Sequence, residues 1–421
     1  MKPGLGAVVM SKLLVLICAP LLALSVVNVS LAQEKEPKAA EKPVAPNPEA
    51  KPPAEQPKSG PGGAEYAHKK VESVTGGKGG TKYWLFMPAE PAAKEAPIIM
   101  LIHGFGATDP NKSYIEWIEH IVKRGNLVIF PIYQETALEP SDNYAPNCAE
   151  SLRLAFEYLA ADKTRVQPIK EKFAVVGHSA GGMTTGNLTA KWEELKIPKP
   201  LAAMPVQPGR AFGYNLQRDQ GLINFADFSK IPRETLLLCV YGDSDQTVGS
   251  YCALKIFAGA SNVPAENKNA LEVRSCVHGS PKLIASHQSP GAPRGIVDVL
   301  DWNGYWKLFD GLCDAAFYGK NREYALGNTE KQRSLGSYSD GCKICEMQVT
   351  LGDAKIDPDT AEYTPAYDRK GNPVAKSRAE EKKPAAPEPA PQTPRDRREE
   401  RKEERRKEEK TPEEDGNEQE F

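Results

Sequence analysis

An α/β architecture, a mostly parallel sheet with helices on both faces, is predicted for this chain by three features. Apolar runs of strand length alternate with segments of helical period over about 300 residues, the pattern that lays crossover helices across a parallel sheet. One such run, Phe173-Ala174-Val175-Val176, passes without a break into the glycine-rich turn Gly177-His178-Ser179-Ala180-Gly181-Gly182. Polar residues able to do chemistry recur just beyond the ends of several runs, where the loops of such sheets gather.

Taken in order, residues 81–87 read as an early strand. Residues 96–102 are apolar throughout, as a strand buried on both faces must be. Residues 114–122 read as the first helix and 127–131 as the strand after it. Within 149–161 the apolar positions Leu152, Ala155, Phe156 and Leu159 fall at helical spacing. After the strand 173–176 and the helix opened by its turn come strands at 201–206, 235–241 and 271–277, then a closing helix over 296–309 that carries two tryptophans, Trp302 and Trp306. The stretch 207–233 is a long excursion between two core strands. Long loops in compact domains are often functional, so it is expected to wall the substrate cleft, with Phe212 and Tyr214 facing the ligand. A packing loop whose aromatics fill gaps accounts for the same residues.

The ends of the chain do not read as core. Residues 1–32 carry Lys2 and Lys12, an apolar run over 13–27, and Ser30-Leu31-Ala32, with small residues where a signal peptidase reads. A secretory signal cut before Gln33 is expected, which places the protein outside the cell or in the periplasm; an uncleaved membrane anchor is the alternative. Residues 33–65 are dominated by Pro, Ala, Lys and Glu without aliphatic periodicity and read as a disordered spacer. The α/β domain is expected over 66–352, and 353–421 is a C-terminal extension, charged and disordered from about residue 376. Its run from Arg395 to Lys410 mixes signs so closely that it lacks the basic stripe of a nucleic-acid arm, and no nucleic-acid partner is expected. A solubilising tail is the simplest reading, contact with an envelope surface or a partner the other. With 421 residues and a formal net charge of −2, the chain shows no excess charge toward any polyelectrolyte. Nothing in the sequence fixes its oligomeric state.

Of eight cysteines, Cys18 lies in the expected signal; the remaining seven are odd in number, so at least one stays free or pairs between chains. Cys239 and Cys276 fall in predicted strands and read as small buried hydrophobes. Cys342 and Cys345 are expected to form a local disulfide, or one of them to bridge to Cys313. A single Cys-x-x-Cys without a second pair or a nearby histidine is a weak metal signal.

The turn around Ser179 has the form G-x-S-x-G, a nucleophile elbow. Only small flanking residues avoid clashing across so tight a strand-to-helix turn, which lifts the hydroxyl clear of the sheet edge. It also aims the Ala180 amide, at a helix N-terminus, toward a developing oxyanion. Upstream, the strand 96–102 ends in His103-Gly104-Phe105-Gly106; downstream, Gly242-Asp243-Ser244-Asp245-Gln246-Thr247-Val248 follows the strand 235–241. Two histidines follow the next strand: His278 directly after it, and His287 in Leu283-Ile284-Ala285-Ser286-His287-Gln288-Ser289-Pro290.

The elbow, the His-Gly loop and the chain order Ser, Asp, His together resemble the α/β-hydrolase family, in particular its cutinase, acetylesterase and dienelactone-hydrolase groups, over roughly residues 66 to 350. The resemblance implies an oxyanion hole from the Phe105 and Ala180 amides, with His103 tying down its own loop. The spacing of the family's G-x-x-D-x-x-V turn favours Asp245 as the acid, with Asp243 as the alternate that would cap the turn. Small residues before the histidine and proline after it favour His287 as the base, with His278 as the alternate. His68 and His120 come too early in the chain, and His178 belongs to the elbow. No metal or organic cofactor is implied. The oxyanion loop lacks the Gly-Gly-Gly extension of the hormone-sensitive-lipase type, and no helical cap is visible between 206 and 235. An open cleft suited to short-chain or polymeric esters follows. The expectation is therefore an extracytoplasmic serine hydrolase of carboxylic esters. The same three residues would serve an amide, peptide or thioester, and a retired hydrolase fold acting as an envelope scaffold is a reading of a different class.

Overall fold

The computed structural model describes residues 45–291 and 295–374. Nine strands join in one sheet among them: β1 (Lys70–Gly76), β2 (Lys82–Ala89), β3 (Glu95–Ile102), β4 (Leu127–Ile132), β5 (Gln167–His178), β6 (Ala202–Val206), β7 (Leu236–Gly242), β8 (Lys268–Val273) and β9 (Gln348–Leu351). Their order is β1-β2-β4-β3-β5-β6-β7-β8-β9, and every pair from β4 to β8 is parallel. The antiparallel strands β1, β2 and β9 close the edges.

Side chains alternate across a strand, so each central strand feeds two cores. Ile99, Leu101, Val128, Phe130, Val176, Met204 and Val240 pack on one face with α1 (Ile115–Lys123) and α5 (Trp306–Tyr318). Ile98, Met100, Leu127, Ile129, Val175, Ala203 and Leu237 pack on the other with α2 (Tyr144–Ala160), α3 (Ala180–Ala190) and α4 (Tyr251–Gly259). Burial on both faces is why these strands read as continuous apolar runs.

The predicted elements are present with shifted ends. Helix α2 begins at Tyr144, and the closing helix is entered through a wide turn, Asp301–Tyr305, and continues to Tyr318, where Gly319 adopts a left-handed φ of 66°. The strand expected over 271–277 leaves the sheet at Val273. Residues beyond it form a separate antiparallel bridge, Cys276 to Leu283, at the base of the loop that carries His287. Strands β1 and β9 and helix α4 had no expectation. The two strands lie at sheet edges with mixed, partly exposed side chains, where the periodic signal is weakest.

Residues 45–65 do not form the spacer expected from their composition. Ala50 is fully buried, the Asn47 amide donates to the His278 carbonyl at 2.7 Å, and the Gly62 amide donates to Asp310 Oδ2 at 2.7 Å. A segment poor in aliphatics need not make a core of its own when it satisfies its backbone on one already built. The signal region, residues 33–44 and the charged tail lie outside the described residues, as does the region beyond 374. Among the described residues no helix is long and apolar enough to cross a membrane.

The cysteine expectation is also corrected. Cys345 is bonded to Cys276, 69 positions away, rather than to Cys342 or Cys313. Cys276 is thus no mere buried hydrophobe. Cys148, Cys239, Cys252 and Cys313 are buried free thiols.

Asp310 on α5 anchors the N-terminal segment: His120 Nε2 lies 2.9 Å and Arg124 Nε 3.2 Å from its Oδ2. Burial pushes its pKa up, but His120, Arg124 and the Gly62 amide outweigh that and hold it below the ordinary carboxylate value. A depressed folded-state pKa contributes stability that is complete above the unfolded value of about 3.9 and is lost as pH falls through the folded one. Asp310→Asn is therefore expected to lower the melting temperature at neutral pH and to lose less further stability than the wild type on acidification below about pH 4. Parallel melting curves across pH 2.5–7, a range spanning the carboxylate values, would refute this role for Asp310.

Candidate active site

Ser179 occupies the first turn position between β5 and α3 with φ 58° and ψ −122°, a strained geometry for a residue with a side chain. The flanking glycines are sterically required. A Cβ at Gly177 would lie 2.3 Å from the Gly181 carbonyl oxygen, and one at Gly181 would lie 2.1 Å from that of Ile102. Glycine at both flanking positions is thus what lets β3, β5 and α3 approach this closely.

The loops after β7 and β8 bring their polar residues to the same place. His287 Nε2 is 2.9 Å from Ser179 Oγ, and His287 Nδ1 is 2.7 Å from Asp245 Oδ2. The other carboxylate oxygen of Asp245 accepts the amides of Thr247 (2.8 Å) and Val248 (3.0 Å). With Oδ1 occupied by two backbone donors, Oδ2 is left facing the imidazole. The carboxylate is wholly buried.

The alternates are placed elsewhere. Asp243 accepts the Ser275 amide (2.9 Å), the Ser275 hydroxyl (2.5 Å) and the Ser244 hydroxyl (2.8 Å), and so fastens the end of β7 to the chain leaving β8. His278 pairs with Asp340 Oδ2 at 2.9 Å beside Tyr338. His278→Ala is expected to leave ester turnover within about twofold of wild type, as substitutions away from a site generally do; a loss as deep as that of His287→Ala would reverse the assignment.

Phe105 follows Gly104 in the loop after β3, and Ala180 follows Ser179 at the start of α3. The amides flanking Phe105 are occupied, Gly104 by the Tyr114 hydroxyl (3.2 Å) and Gly106 by Gln134 Oε1 (3.0 Å). The Phe105 and Ala180 amides meet no acceptor among the described residues. A Cβ at Gly104 would lie 3.3 Å from Ser179 Cβ, so the loop runs close beside the Ser179 side chain. His103 holds this loop: its Nδ1 is 2.7 Å from the Gly104 carbonyl, its ring stacks on Tyr133, and burial pushes its pKa down to about 4.

The structure separates the two aromatics of the excursion. Phe212, 64% exposed, meets Phe105 edge-on at 5.2 Å, beside the loop after β3. Tyr214 packs instead against Tyr363, beside the turn that carries Asp245. The excursion contains only the short turns Tyr214–Leu216 and Phe228–Lys230.

Two residues at the site carried no signal in the sequence, Tyr114 and Gln207. Burial, then the neighbouring His287, pushes the His178 pKa well below its ordinary value, so the ring is neutral where it packs 4.6 Å from His287. The Tyr114 hydroxyl donates to His178 Nδ1 (2.8 Å), while His178 Nε2 donates to Gln207 Oε1 (3.2 Å). Gln207 Nε2 donates to the Ser286 carbonyl (2.9 Å), and the Tyr114 amide donates to that of Gly291 (2.8 Å). The loop carrying His287 is thereby tied at both sides to the elbow. Tyr114 and Gln207, like Ser179, have left-handed φ, 63° and 42°. Strain held at three non-glycine residues in one network marks a site whose geometry is imposed by its surroundings.

No family model matches the chain. Two curated proteins are similar to part of it. Phospholipase A1 of Vespula maculifrons is 27% identical over 124 residues, 27% of this chain and 41% of that protein. Phospholipase A1 of Vespula vulgaris is 26% identical over 124 residues, 27% of this chain and 37% of its own length. The chain thus spans about two fifths of the length of these relatives. The similarity is to lipase-like ester hydrolases at a coarse level; neither relative is a cutinase or an acetylesterase.

Proposed function

We propose that this chain is a serine hydrolase of carboxylic esters acting outside the cytoplasm, with Ser179, His287 and Asp245 as its triad. The observation that carries the reading is the unbroken line of hydrogen bonds from Ser179 Oγ through His287 to Asp245. His287 Nε2 takes the Ser179 proton as Oγ attacks the ester carbonyl, and the oxyanion is received by the Phe105 and Ala180 amides. The same nitrogen returns the proton to the leaving alcohol, and water then removes the acyl group by the reverse steps. Asp245 holds the proton-bearing Nδ1 of His287 in place and balances the imidazolium.

The partial relatives are named for cleavage of an ester in a phospholipid, which favours an ester over an amide or thioester and adds lipid esters to the short-chain and polymeric ones. An excursion without a helical cap supports an open cleft. The Cys276–Cys345 disulfide, with the signal expected at the N-terminus, supports an oxidising compartment.

The test is hydrolysis of p-nitrophenyl acetate, butyrate and octanoate, phosphatidylcholine vesicles and matched p-nitroanilides, alongside labelling by a fluorophosphonate. Ester turnover with labelling of Ser179 supports the reading; turnover of the anilides alone would move it to amides, and no turnover or labelling would sink it. Phe212→Ala is expected to raise KM for octanoate several-fold while sparing acetate, because its exposed ring offers about 1.5–3 kcal/mol of apolar contact at most; equal effects on both esters would remove Phe212 from the acyl side.

A further inference from the structure

The chain beyond β9 returns across the sheet to the turn that bears Asp245. Asp359 accepts from the Tyr251 hydroxyl (2.8 Å) and Lys255 Nζ (2.9 Å) on α4. The Ala366 amide donates to the Asp243 carbonyl (2.8 Å), the Tyr367 amide to Ser244 Oγ (3.2 Å), and Lys282 Nζ to the Gly371 carbonyl (2.9 Å). In the middle of this strap, the Tyr363 hydroxyl donates to the Gly242 carbonyl (2.6 Å) and accepts the Asp245 amide (2.8 Å).

One phenol thus holds two backbone groups of the same turn, setting the distance between the last residue of β7 and Asp245. The direct bond between those groups is long, 3.4 Å, so the phenol is the shorter link. Its ring is itself fixed. It packs edge-on to Tyr214, and a Cβ at Gly249 would lie 2.8 Å from it, so residue 249 carries no side chain where this ring sits.

We propose that Tyr363 is a positioning residue for the Asp245–His287 pair, making residues 353–374 a working part of the site rather than an appendage to it. The inference rests on the triad reading above. Tyr363 touches neither Ser179 nor the oxyanion amides; it acts by fixing the backbone from which the carboxylate reaches His287. A misplacement of an ångström or less at such a partner is enough to cost roughly ten- to hundredfold in turnover.

The test compares the full chain with Tyr363→Phe, which keeps the ring and removes both bonds. Two quantities are read: kcat and KM on p-nitrophenyl butyrate, and the low-field proton resonance of His287 Nδ1–H, assigned by its loss in His287→Ala. The expected result is a fall in kcat of roughly tenfold or more with KM within about twofold, and a shifted or broadened Nδ1 proton, in a variant that still melts cooperatively. A purely structural role would lower the melting temperature and leave the folded variant's kcat and resonance unchanged, and that result overturns the inference. So does a change in only one of the two when the wild type is active. If the wild type hydrolyses esters no faster than Ser179→Ala yet the resonance responds to Tyr363→Phe, the activity reading falls and the positioning role stands. Should Tyr363→Phe fail to fold, Asp359→Ala, which frees the strap from α4, carries the same comparison.

Discussion

Ser179→Ala is expected to reduce ester turnover by roughly four to six orders of magnitude while leaving substrate affinity within a few-fold, since the hydroxyl supplies the bond that forms and little of the ground-state contact. The variant should fold as the wild type does, because alanine fits a turn whose crowding comes from Gly177 and Gly181 and not from the serine side chain. Asp245→Asn is expected to cost about four orders by another route. The asparagine carbonyl that replaces Oδ1 still accepts from Thr247 and Val248, so its amide group would point at His287 Nδ1 and donate to it. The proton then sits on Nε2, where it blocks transfer from Ser179. Steady-state kinetics on p-nitrophenyl butyrate checks both. Residual activity in Ser179→Ala within tenfold of wild type would remove the serine as nucleophile, whereas Asp243→Asn should act on stability ahead of turnover, because its partners are Ser244 and Ser275.

The second large effect concerns stability. The bond between Cys276 and Cys345 closes a loop of 69 positions, for which chain entropy gives about 4 kcal/mol, within the usual 2–5 kcal/mol for a native disulfide. Cys276→Ala/Cys345→Ala is expected to lose stability of that order. Because Cys276 also bridges Leu283 at the root of the loop bearing His287, activity should fail at a lower temperature together with the fold. Guanidinium unfolding of both proteins with and without reductant decides it: the wild-type midpoint should fall on reduction to near that of the double variant, which should not respond. A wild-type midpoint indifferent to reductant would show that the bond contributes nothing. The four buried free thiols do not complicate the comparison under native conditions, since burial pushes each of their pKa values up and leaves little thiolate to exchange.

The expected segment Ala149–Ala161 and the strands at 96–102, 127–131 and 201–206 were legible because burial on one or both faces writes itself into the order of apolar residues. Ser179 was legible for a different reason: the clash distances at Gly177 and Gly181 force small residues at fixed offsets, so the elbow appears in the sequence as a spelling. Residues 45–65 were misread because composition reports whether a segment can build a core, not whether it can lie on one. Edge strands β1 and β9 were missed because half of each faces water.

The sequence by itself therefore determined the α/β class, the serine turn, the glycine loop near it and two short windows holding the aspartate and histidine candidates. Tertiary structure decided which histidine meets Ser179 and which aspartate meets that histidine. Asp243 and Asp245 sit two residues apart in one turn and His278 and His287 on one loop, so local pattern favours Asp245 and His287 without excluding their neighbours. Asp245 faces His287 because the amides of Thr247 and Val248 take its other oxygen, and Asp243 is turned away by Ser275, a residue beyond the following strand. The pairing of Cys276 with Cys345, the bonds of Tyr114 and Gln207 behind His287, and the placing of Tyr363 at the acid turn are contacts between residues far apart in the chain. Periodicity and turn chemistry are local energies; these contacts exist only once the sheet has brought the ends of β3, β5, β7 and β8 to a common edge.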